Sequence, residues 1–116
     1  MSGTVSSVVL RFSLLLLTPI VAGAAETFAL DIAVGKFDEH CLKMDAGDSI
    51  RYKFVAGAPV DFNIHHHRGK EVLYPVRRDG IEREEGEFRA PSTDDFCLMW
   101  TNTGRAQVRV TGEVAR

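Results

Sequence analysis

The chain has 116 residues, with 14 Lys and Arg against 16 Asp and Glu and a formal net charge of −2. That length holds one compact domain rather than two. The near balance of interspersed charges gives no basic surface for nucleic acid or an anionic membrane.

The first segment is a processing signal rather than part of the fold. Arg11 precedes an apolar run over residues 12–21, followed by Ala22-Gly23-Ala24-Ala25. A run of about ten apolar residues matches the core of a signal peptide and falls short of the about twenty needed to cross a bilayer. The pattern predicts a signal peptide over residues 1–24 and a mature domain over 25–116, periplasmic or secreted. An uncleaved N-terminal anchor is the rival reading. No cysteine follows the small residues, which argues against a lipoprotein anchor, and no second apolar run of membrane length follows.

Residues 27–34 place Phe28, Leu30, Ile32 and Val34 on one face and read as a first strand. Gly35-Lys36 ends it, and residues 37–42 form a second, shorter strand that holds Cys41. Asp45-Ala46-Gly47-Asp48 is a turn by composition. Ile50, Tyr52 and Phe54 mark a third strand, and Gly57-Ala58-Pro59 leads out of it. Val60, Phe62 and Ile64 then alternate with Asp61, Asn63 and His65. Arg68-Gly69 turns the chain, and Val72, Tyr74 and Val76 return, which is the pattern of a β-hairpin. Residues 77–85 are a run of mixed charge that reads as a solvated edge or loop. Phe88 lies in a short strand before Ala90-Pro91-Ser92. Phe96, Leu98 and Trp100 share one face of a central strand, and Trp100 reads as core. Val108, Val110 and Val114 close the chain in a strand interrupted at Gly112. No helical period appears beyond the leader. Seven or eight short strands separated by Gly, Pro and Asp predict an all-β antiparallel sandwich.

Both cysteines, Cys41 and Cys97, belong to the mature part. In a small exported domain an even cysteine count points to a disulfide, with metal ligation or redox chemistry as the alternatives.

His65, His66 and His67 are the residues that suggest chemistry. On a strand His65 and His67 share a face, about 6.5 Å apart along the chain, and His66 faces the other way. Two imidazoles so placed can hold copper or zinc if a neighbouring strand brings a third ligand. His40 and Met99 are candidates for that ligand, as are Met44 and Glu71. The alternative is that His65 and His67 continue the polar face of Asp61 and Asn63 while His66 caps the core. A blue-copper centre is disfavoured, because cupredoxins group the cysteine, second histidine and methionine in one loop near the C-terminus and no histidine follows His67 here. No G-x-S-x-G turn supports Ser49 or Ser92 as a nucleophile, no phosphate-binding glycine loop occurs, and Glu82, Glu84, Glu85 and Glu87 lie in the charge run. The residues therefore offer no catalytic set and no cofactor-binding motif, and metal binding at His65 and His67 is the function that they themselves suggest.

The order of parts resembles the GOLD domain, the lumenal β-sandwich of transmembrane cargo receptors of the early secretory pathway. The resemblance runs from Cys41 and the acidic turn at Gly47, through Val60-Asp61-Phe62-Asn63-Ile64 and the Gly69-to-Tyr74 element. It continues through Glu85-Gly86-Glu87-Phe88 to Phe96-Cys97-Leu98-Met99-Trp100-Thr101-Asn102. It implies a GOLD-like jelly roll, a bond between Cys41 and Cys97, and a non-catalytic domain without a cofactor that recognises an unknown protein or small ligand, with metal binding at His65 and His67 as the alternative function. The receptors' stem, membrane span and coat-binding tail have no counterpart in the residues after Val110.

Overall fold

The computed structural model describes residues 25–116 together with Gly3 and Ser13, so apart from those two the expected signal segment lies outside the described residues. Six strands follow one another: β1 (Glu26–Ile32), β2 (Phe37–Met44), β3 (Ser49–Arg68), β4 (Glu71–Arg89), β5 (Asp94–Thr101) and β6 (Val108–Ala115). Every pairing is antiparallel. The sheet order is β1-β6-β3-β5-β2, with β4 on the opposite edge of β3.

The seven or eight short strands expected from the sequence are six because two strands are long. β3 pairs β6 from Arg51 to Ala56 and then pairs β5 from Asp61 to His65. Between these stretches lies Gly57-Ala58-Pro59, which reads as a break and is instead a corner within one strand. Pro59 has no N–H to leave unpaired there. The charge run over 77–85, read as a solvated edge or loop, is the edge: it forms the middle of β4. β4 keeps pace with β3 through register shifts beside Val60 and beside Ile64. The first centres on Gly80, whose φ of 65° suits a bulge and whose N–H donates to Asp61 Oδ1 at 2.9 Å. The second takes in Pro75, where a missing N–H costs no ladder bond. β4 pairs only with β3, so its Arg and Glu side chains line an unpaired edge and discourage pairing with another chain.

The corner turns the flat ladder into a curled half-barrel. Tyr52 and Phe54 precede it, Phe62 and Ile64 follow it, and all point inward and are buried. Phe54 meets Phe62 at 4.7 Å between ring centroids and Trp100 at 5.4 Å. Phe28 of β1 reaches Trp100 at 4.9 Å, so the two ends of the sheet close over one core. Trp100 is fully buried, as its shared face with Phe96 and Leu98 predicts. Gly112 does not interrupt β6. It pairs Phe28 on one side and Phe54 on the other, where a Cβ would overlap the Lys53 carbonyl oxygen and lie 2.7 Å from the Phe28 ring.

Cys41 and Cys97 are directly opposite each other on β2 and β5 and form a disulfide, with a Cα–Cα distance of 4.0 Å. It closes a loop of 56 residues in sequence. A loop of that size corresponds to about 4 kcal/mol of stabilisation in the chain-entropy account.

Asn102 locks the end of the barrel where three segments meet. It is buried, and its Nδ2 donates to the Ile32 and Ala106 carbonyls, both at 2.9 Å, while Oδ1 accepts from the Gly104 N–H at 2.9 Å. Its backbone exchanges bonds with Gly35 and Lys36. Replacing Asn102 by Ala leaves these groups without partners, so we expect a loss of about 3 kcal/mol, since each orphaned buried group costs about 1–3 kcal/mol. Urea unfolding of the two proteins measures it.

Candidate functional site on the outer face

Strand alternation sorts the histidines as expected. His66 points inward, stacks on Phe96 at 4.6 Å between centroids, and donates from Nδ1 to Asp94 Oδ2 at 3.0 Å. That hydrogen bond, with help from the Asp95 N–H, holds the Asp94 carboxyl below its usual range. His65 and His67 point to the outer face, with ring centroids 5.4 Å apart and planes nearly perpendicular. His67 is exposed, whereas His65 is only 5% exposed despite lying on the outer face.

What buries His65 is its neighbours on that face. It sits opposite Cys97 of β5. Glu39 of β2, Tyr74 of β4 and Asn63 of its own strand surround it, with the Tyr74 ring centroid 5.9 Å away. Because an amide oxygen can only accept, the 2.8 Å contact from His65 Nδ1 to Asn63 Oδ1 places the ring proton on Nδ1. The lone pair is then on Nε2, which faces Glu39 Oε2 at 3.6 Å. One ligand atom each from Glu39, His65 and Cys97 lies within 4.8 Å of the other two. Burial pushes the His65 pKa down, Glu39 opposes the shift, and the charges of His67 and His66 add to it. His65 is therefore neutral at pH 7.

Of the third ligands suggested by the sequence, His40 is on the wrong side. It stacks on Phe28 at 5.4 Å and donates from Nε2 to Glu26 Oε2 at 3.0 Å. Met44 is in the core. Met99 shares the outer face but is opposite Asn63 and Glu39, one pair along from His65. Glu71 sits at the hairpin turn, paired with Arg68. Glu39, Asn63 and Tyr74 escaped the sequence reading. The parity of Glu39 with Cys41, and of Asn63 with His65, carried the signal, but only strand register shows that the two strands meet there.

The His66–Asp94 pair resembles the base and orienting carboxylate of a hydrolase, but the buried Ser92 Oγ has no hydrogen-bond partner. Within the charge run Glu84 is bound up in packing: it accepts from the Tyr52 hydroxyl at 2.8 Å and from Arg78 Nε at 2.9 Å. Burial, then the Glu84 contact, raises the Tyr52 pKa far above its ordinary value.

Fold and disulfide together define a small all-β domain of one curled antiparallel sheet. No protein-family model matches the chain. No curated protein sequence matches it. Solved structures do share the fold. The pre-peptidase C-terminal domain of a collagenase from Bacillus anthracis is 14% identical, with 78% of this chain and 88% of that one aligned at a TM-score of 0.61. PliG of Aeromonas hydrophila, a periplasmic inhibitor of g-type lysozyme, is 15% identical over 78% and 84% of the two chains, at a TM-score of 0.56. The Yersinia pseudotuberculosis-derived mitogen is 12% identical over 79% and 85%, at 0.57.

The lowered pKa of His65 gives stability a defined pH dependence. As pH falls through about 6.5 the unfolded chain takes up a proton that the folded chain refuses, so the contribution is whole above that value and declines below it. Asp94 works in a separate window, because a depressed carboxyl loses its contribution below about pH 4. We expect the urea midpoint to drop between pH 7 and pH 5, and to drop less in His65→Gln. Equal drops in both proteins would mean that His65 titrates normally.

Proposed function

We propose that the protein is an exported, non-catalytic recognition domain that binds a protein partner on the outer face of the β3–β5–β2 half. The observation that carries this is Tyr74 and Val72, exposed at 43% and 38% beside the exposed His67 on the β3–β4 hairpin. Tyrosine is favoured at protein interfaces because it offers a large contact area with few torsions to freeze. Arg77 stacks over the Tyr74 ring at 4.9 Å, which limits the ring's freedom before a partner arrives.

Several features support the rest of the reading. The leader pattern and the Cys41–Cys97 disulfide both favour an oxidising compartment. The order of motifs, which resembles that of the GOLD domain, supports a domain used for recognition. PliG, a protein of similar fold named as a periplasmic inhibitor of g-type lysozyme, supports a protein as the partner.

The test is capture of partners from the exported fraction of the native host, with wild type compared against surface variants. A protein retained by wild type and by Val55→Asp, which alters the other half of the sheet, but lost by Tyr74→Ala and Val72→Asp, is the expected result. Equal recovery by all four would overturn the choice of face. N-terminal sequencing of the exported protein is expected to read from Ala25, and an intact leader in the membrane would overturn release.

A further inference from the structure

We propose that Glu39, His65 and His67 form a binding site for a divalent transition-metal ion, copper or zinc, beside the Cys41–Cys97 disulfide. This inference does not depend on the protein partner proposed above.

The geometry starts with His65 Nε2 and Glu39 Oε2, 3.6 Å apart. That is too long for a hydrogen bond, so the two atoms do not satisfy each other. It is close to the separation of two ligand atoms held about 2.1 Å from one tetrahedral ion, which is about 3.4 Å. Asn63 completes the arrangement from behind. By accepting from Nδ1 at 2.8 Å it fixes the ring plane and turns the lone pair of Nε2 toward Glu39. Metal-binding histidines are oriented by this kind of contact to the second nitrogen.

Rigid elements support the first two ligands. β2 and β5 are cross-linked beside Glu39 at Cys41–Cys97, and β3 is paired with β5 at His65–Cys97. The Cys97 sulfur lies in the same cluster, but within the disulfide it is no thiolate. The donor set is thus two imidazoles and one carboxylate, which suits zinc or copper and leaves a coordination position open. His67 supplies the second imidazole. Its exposed ring lies on the same face with its centroid 5.4 Å from that of His65, so a change of rotamer is all that separates it from the ion. Copper(II) should bind more tightly than zinc, following the general order for such donors.

The experiment is calorimetric titration of tag-free, disulfide-intact protein, exported and purified from its own host, with Cu2+ and Zn2+ separately. One ion per chain is expected, bound more tightly for Cu2+. Glu39→Gln and His67→Gln change exposed residues and should fold normally, and each is expected to weaken binding by more than tenfold. Asn63→Ala, which touches no ion, should weaken it by about 10–100-fold, the usual effect of removing an orienting contact. His40→Gln, on the opposite side of the sheet, should bind as wild type does. No binding of either ion to wild type would overturn the proposal. So would undiminished binding by both Glu39→Gln and His67→Gln, or binding that appears only after the disulfide is reduced, which would assign the ion to the thiolates.

Discussion

The structure depends on one constraint: β3 must stay hydrogen-bonded along both edges while changing direction halfway. Its first half has β6 as neighbour and its second half β5, with β4 alongside throughout. A ladder cannot bend this far without unpaired groups or surplus residues. The chain meets the demand with Gly57-Ala58-Pro59 in β3 and with bulges at Gly80 and Pro75 in β4. The bend brings Phe54 against Phe62 and Trp100, and the core follows from it.

The same bend separates two environments for polar chemistry. On the inner face His66 is surrounded by aromatic core and served by one carboxylate, an arrangement that stabilises and positions. On the outer face the neighbouring strands bring Glu39, Asn63, Tyr74 and the disulfide around His65. A surface imidazole would ordinarily be solvated, but here cross-strand neighbours desolvate it. An almost buried, neutral imidazole on an outward face is the feature of this fold with the most chemical potential.

Exposed aromatic surface and the histidine cluster occupy one face, so recognition and ion binding would be neighbours. Tyr74 touches His65 on one side and Arg77 on the other. The bulge at Pro75 is what allows Tyr74 to lean over the histidines, because it shifts the register between Ile64 and His66. A local irregularity of β4 therefore shapes the site on β3.

Much was legible in the sequence because strand alternation is a local property. It determined the all-β class, the inward side of Phe96, Leu98 and Trp100, and the split of His65 and His67 from His66. Cysteine count and compartment pointed to the disulfide that Cys41 and Cys97 form. Local pattern failed where continuity depended on partners. Gly57-Ala58-Pro59 and the charge run look like interruptions, yet β5, β6 and the opposite strand keep both within long strands. The third member of the histidine cluster was hidden for the same reason. Glu39 is distant from His65 in sequence, and nothing near either residue encodes their approach. Only the register of β2 on β5 and of β5 on β3 brings that carboxylate to that imidazole, since a sheet's lateral neighbours are set by tertiary pairing rather than by its own residues.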